Sequence, residues 1–118
     1  MRAARWGFLV AFVFLAGACN EQRKQECSSF VDALKPLDQG MPTQAVVDSV
    51  RKQVAAIHFQ DEPLGIYAKN YEERLTILSN TLALKEGPSP PDGTDDVIKQ
   101  NLAKARTDAS DVRRYCAE

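Results

Sequence analysis

The chain has 118 residues, a length that fits one domain, and its 15 Lys+Arg stand against 16 Asp+Glu for a formal net charge of -1. That balance lacks the usual footprint of a nucleic-acid binder, a basic face or stripe. The 44% hydrophobic content looks globular but is unevenly held, because 14 of those residues fall within positions 1–18, which carry no acid, and 38 remain from Cys19 onward.

The first segment has a positive start at Arg2 and Arg5. An uncharged apolar run covers 7–15, and the small residues Ala16, Gly17 and Ala18 follow. This is the layout of a cleaved export signal over 1–18. The run is short for a spanning helix, which takes about 20 apolar residues. Its ending, Leu15-Ala16-Gly17-Ala18-Cys19, resembles the lipobox of bacterial lipoproteins. The commonest form places Leu three residues before the Cys; here Ala16 holds that place and Leu15 lies one further back. The resemblance implies that Cys19 is lipidated and becomes the mature N-terminus, with the membrane as a partner through that lipid. Small residues let a peptidase approach an extended backbone, and a thiolate is the nucleophile that takes a thioether-linked lipid. The several acyl chains of such proteins hold firmly where one chain would not. Asn20 is not the Asp that typically retains such proteins at the inner membrane. The resemblance therefore favours the outer membrane, with the mature domain periplasmic or surface-exposed.

Residues 19–26 (CNEQRKQE) are polar and are expected to form a lipidated tether that merges into a helix start. Cys27, Phe30, Val31 and Leu34 then follow the one-face helical spacing, so a first helix is expected over roughly 22–36, ended or kinked by Pro36. Gly40 and Pro42 make a turn. Val46, Val47, Val50, Val54 and Ile57 recur at 3 and 4 spacing with charges opposite, predicting a second helix over roughly 43–58. Asp61 is a plausible N-cap, and Pro63 is tolerated in a first turn. The stripe Leu64, Tyr67, Tyr71, Leu75, Leu78, Leu82 predicts a third helix over roughly 62–85, stopped by Gly87-Pro88. After a Pro/Gly loop, Thr94 or Asp95 can cap a fourth helix. Its stripe is Ile98, Leu102, Ala105, Ala109, Val112 and Cys116.

Four amphipathic helices with short connections predict an all-α, small antiparallel bundle over 27–118. With Cys19 assigned to lipid, Cys27 and Cys116 form an even pair in an exported chain, the pattern of a disulfide. They lack CxxC spacing, and the single His cannot complete a usual zinc set with them. In an up-down-up-down bundle the start of the first helix and the end of the fourth lie at the same end, so topology and disulfide agree. The alternative is a three-helix domain with the first helix as an arm pinned by the disulfide. A link closing so long a loop is worth about 4–5 kcal/mol in the loop-entropy model, and small cores depend on such staples.

No constellation converges on a reaction. His58 falls where the second helix should end, suited to a cap or to the surface. Met41 and His58 stand at opposite ends of that helix, and CxxCH is absent, which argues against haem. Asp92, Asp95 and Asp96 lack the alternation of a calcium loop and suit solvation and helix capping. There are no paired Glu-x-x-His motifs, no P-loop and no serine-nucleophile motif. Tyr67 and Tyr71 suit the core better than a ligand box. Cys27 followed by Phe30, Val31 and Leu34, together with Phe59-Gln60-Asp61-Glu62-Pro63-Leu64 leading into Tyr67 and Tyr71, resembles small helical lipoproteins of unknown function from myxobacteria and related bacteria. That resemblance carries no catalytic residues to transfer. The expectation is a non-enzymatic, lipid-anchored bundle with no cofactor, acting on an envelope protein partner. The alternative is a small-ligand or metal-binding bundle using the space near Tyr67, Tyr71 and His58.

Overall fold

The computed structural model describes residues 20–118, and these form an all-α bundle. The expected signal segment 1–18 and Cys19 lie outside the described residues. Helix α1 covers residues 20–34 and runs into a 3-10 turn, Lys35–Asp38. Three further helices follow: α2 (Gln44–Ala55), α3 (Glu62–Glu86) and α4 (Thr94–Ala117).

The apolar stripes meet in one core. Phe30 and Leu34 of α1, Val47, Val50 and Val54 of α2, Leu64, Leu75 and Leu78 of α3, and Ile98 and Val112 of α4 are essentially inaccessible. Each such side chain contributes roughly 1.5–3 kcal/mol on burial. The small residues Ala105 and Ala109 of α4 are also buried, as is Ala68 of α3, so backbones can approach closely there. Because Phe30 and Leu34 are fully enclosed, α1 is a core helix and not an arm. The bundle has four helices among the described residues.

Bonds between elements fix the direction of each. Cys27 of α1 is joined to Cys116 of α4, with Cα atoms 5.7 Å apart. At the other end of α1, Arg106 of α4 donates to the carbonyls of Leu37 (3.3 Å) and Gly40 (2.7 Å). Helix α1 therefore runs antiparallel to the C-terminal half of α4. Asp48 of α2 meets Ser79 of α3, and Glu26 of α1 meets the turn just before α3. The order is up-down-up-down, as the sequence predicts.

The expected tether is different in the structure. Residues 20–26 are helical and belong to α1, and Glu26 is only 7% exposed. Arg23 and Glu26 make contacts to the ends of α3 and α4, while Asn20, Glu21, Lys24 and Gln25 face solvent. Helix boundaries shift for local reasons. Pro36 cannot supply the i→i−4 bond, so the chain tightens into the 3-10 turn after Leu34. Helix α2 stops three residues before the expected end, where Ile57 N–H bonds the Val54 carbonyl at 3.1 Å. That turn brings Ile57 and Phe59 back against the core, and Phe59 packs 5.2 Å from Phe30. Asp61 caps α3 as expected, accepting from Leu64 N–H at 3.2 Å.

At α4 the cap position belongs to Gly93, in the left-handed region at φ +85°, which suits glycine. Thr94 is buried and donates its hydroxyl to the Pro91 carbonyl at 2.6 Å. It therefore ties down the loop in place of capping the helix.

Candidate functional site

Two polar clusters stand out, and the first is at the disulfide end. The antiparallel arrangement places the N-terminus of α3 and the C-terminus of α4 side by side at this end. A helix presents partial positive charge at its N-terminus and partial negative charge at its C-terminus. Helix α1 answers both. The Glu26 carboxylate accepts from the Gln60 and Asp61 N–H groups, just ahead of α3. The Arg23 guanidinium donates to the Tyr115 carbonyl in the last turn of α4 at 3.2 Å and lies 4.5 Å from the centre of the Tyr115 ring. Arg23 and Glu26 are three apart, so they rise from one face of α1. Cys27, the next residue, carries the disulfide.

Tyr115 extends this cluster. Its hydroxyl donates to Asp61 Oδ2 at 2.7 Å, and its ring tilts against Tyr67 at 5.8 Å. The Asp61 carboxylate holds the Tyr115 phenol above its usual range, because ionisation would lose the hydrogen bond and set two anions together. Tyr71 lies deeper, edge-on to Phe30 at 6.2 Å, and burial pushes its phenol far above the ordinary value. Tyr71 thus serves as a core aromatic. His58 is exposed in the turn beyond α2, past the C-cap residue Ala56.

The second cluster lines an open groove of about 550 Å³ between α2 and α3, bordered by Asp48, Arg51, Lys52, Glu72 and Ser79. Ser79 is 3% exposed and donates to Asp48 Oδ1 at 2.6 Å. That hydrogen bond lowers the Asp48 carboxyl below its usual range; partial burial opposes it, and Arg51, donating at 3.2 Å, adds to it. Ser79 has no imidazole beside it among these lining residues and acts as a donor, so the trio is a bracket between helices. Other charges also join elements: Arg74 pairs with Asp108 across α3 and α4 at 3.2 Å, and Arg113 of α4 pairs with Asp38 of the 3-10 turn.

Among the described residues no three His, Cys, Asp or Glu side chains gather as a metal set, and every fully buried side-chain polar atom has a partner. No helix among them is long and apolar enough to cross a membrane. No protein-family model, curated protein or solved structure matches the chain.

Sequence reasoning found the cysteine pair and the Asp61 cap. It missed Arg23, Glu26, Asp48, Ser79 and Tyr115. Arg23 and Glu26 look like solvated residues when α1 is taken alone, since their partners are backbone groups more than 30 residues away. The one available signal was the pairing of opposite charges directly before a cysteine on the buried face.

Proposed function

We propose that the chain is the precursor of a bacterial lipoprotein. Its mature part, held by lipid on Cys19, is a non-catalytic helical bundle of the cell envelope, with the outer membrane favoured. Its role is to engage or space an envelope protein. The lipobox-like run ending at Cys19 carries the anchor half of this reading. The use of charged residues supports the other half. Arg23, Glu26, Asp48, Arg74, Arg106 and Arg113 are each engaged in bonds between elements, as suits a rigid scaffold.

Incorporation of a clickable fatty acid by the full chain in a bacterial host tests the anchor. Label on the wild type and none on Cys19→Ser is expected; equal label on both would overturn it. A crosslinking pull-down of the lipidated protein from its own envelope tests the partner, with one recurrent envelope protein expected.

The groove beside Asp48, Arg51 and Glu72 favours a second reading, a bundle that binds a small polar ligand there. A thermal-shift screen over metals, haem, lipids and small polar metabolites separates the two. A saturable rise in Tm that Asp48→Asn removes would support ligand binding, and a flat screen supports the scaffold.

A further inference from the structure

We infer that the bundle stands end-on at the membrane, with its disulfide end against the headgroups and no flexible spacer between. This rests on the proposed lipid at Cys19. It follows from how α1 is held close to that residue. Helix α1 is already formed at residue 20, one peptide link of about 3.8 Å from Cys19.

Within the next two turns α1 is fastened three times. Arg23 bonds and stacks on Tyr115, Glu26 holds the N–H groups before α3, and Cys27 is covalently joined to α4. A lipid on Cys19 would thus pull on the body of the bundle and not on a loose leader. The start of α1, the α2–α3 turn at 56–61 and the end of α4 would share the membrane side.

Charge alone would not dictate this pose. Lys24 and Arg114 are exposed at this end, but so are Glu21 and Glu118. The orientation comes from the covalent link and the short rigid path after it. The opposite end, the α3–α4 loop at 87–93, would project outward by the length of α4, about 36 Å for its 24 residues. That loop end and the helices flanking it become the part offered to a partner.

The test uses the lipidated full chain in phosphatidylethanolamine–phosphatidylglycerol vesicles carrying a dansyl headgroup. The sole Trp is Trp6, within the segment expected to be cleaved, so single reporters can be placed cleanly. Lys24→Trp reports the base, with Glu62→Trp as a second base position, and Asp92→Trp reports the loop end. All three sites are exposed. Energy transfer should be about fivefold or more weaker from position 92, given ~36 Å of helix between the ends. A Gly/Ser spacer of about twelve residues after Cys19, with a root-mean-square reach of ~19 Å, should largely erase that difference. Vesicle co-sedimentation of wild type and Cys19→Ser is measured alongside. If the wild type sediments, Cys19→Ser does not, and base and loop end still transfer equally, the orientation is overturned and the anchor stands. If wild type and Cys19→Ser sediment alike, the anchor falls and the inference with it.

Discussion

The two ends of the α3–α4 hairpin are held by different means. At the base a disulfide, two helix-end charges supplied by α1, a Tyr–Asp hydrogen bond and paired aromatic rings converge on a few turns. At the loop end Leu82, Ile98 and Leu102 pack, and the ion pair there, Lys85–Asp95 at 3.0 Å, is exposed. The loop itself is set by the Asp92-Gly93 turn and the Thr94 hydroxyl. Stability in this narrow bundle is therefore expected to be greatest where α1 joins, and the loop end should tolerate change better. Hydrogen bonds to charged groups at buried helix ends are worth roughly 1.5–3 kcal/mol, while exposed ion pairs add about 0–1 kcal/mol.

The largest expected effect is removal of the disulfide. Cys27→Ser with Cys116→Ser should cost about 2–5 kcal/mol, because the link closes a separation of 89 residues. At roughly 4–8 °C per kcal/mol, that is a fall in Tm of ~10 °C or more by circular dichroism. A fall of only a degree or two would show that the base does not lean on its covalent clasp.

Next is Glu26→Ala, which leaves the Gln60 and Asp61 N–H groups without their acceptor. It should cost about 1–3 kcal/mol in urea unfolding with an unchanged m-value. Lys85→Ala at the other end should cost under ~1 kcal/mol. Equal costs at Glu26 and Lys85 would break the comparison between the two ends.

The Asp48 bracket gives a smaller, pH-dependent effect. Its carboxyl is lowered in the fold, so its contribution is present above the ordinary carboxylate value of 3.8 and is lost as pH falls through the folded value. Wild type should lose more stability than Ser79→Ala when both are titrated from pH 5 to pH 2. Parallel acid limbs would contradict the bracket.

The smallest effect is a gain. Gly65 sits within α3, where an added Cβ would meet Phe59 Cβ at 3.7 Å, an ordinary contact. Gly65→Ala should therefore stabilise by about 0.5–1 kcal/mol.

Much of the fold was legible because amphipathic spacing and turn chemistry are local. The 3 and 4 steps of Ile98, Leu102, Ala105, Ala109 and Val112 all proved to face the core, and Asp61 does cap α3. The cysteine pair was legible because only two remained once Cys19 was set aside. The clasp beside it was not. Arg23 and Glu26 bind the ends of helices that α1 meets only after folding, and Tyr115 is turned by Asp61 from 54 residues away. The cap of α4 falls at Gly93, not at Thr94 or Asp95 as their side chains suggest. The choice was made by a left-handed glycine and a hydroxyl turned back to Pro91.

Helix α1 belongs to the body of the bundle, with Phe30 and Leu34 fully enclosed. Native-state hydrogen exchange on the chain tests this most directly. The amides of residues 27–34 should exchange only with global unfolding, as slowly as those of 71–78 in the middle of α3, while amides beside the loop, at 84–87 and 97–99, open far more readily. Rapid exchange across 27–34, with α3 and α4 still protected, would contradict the account.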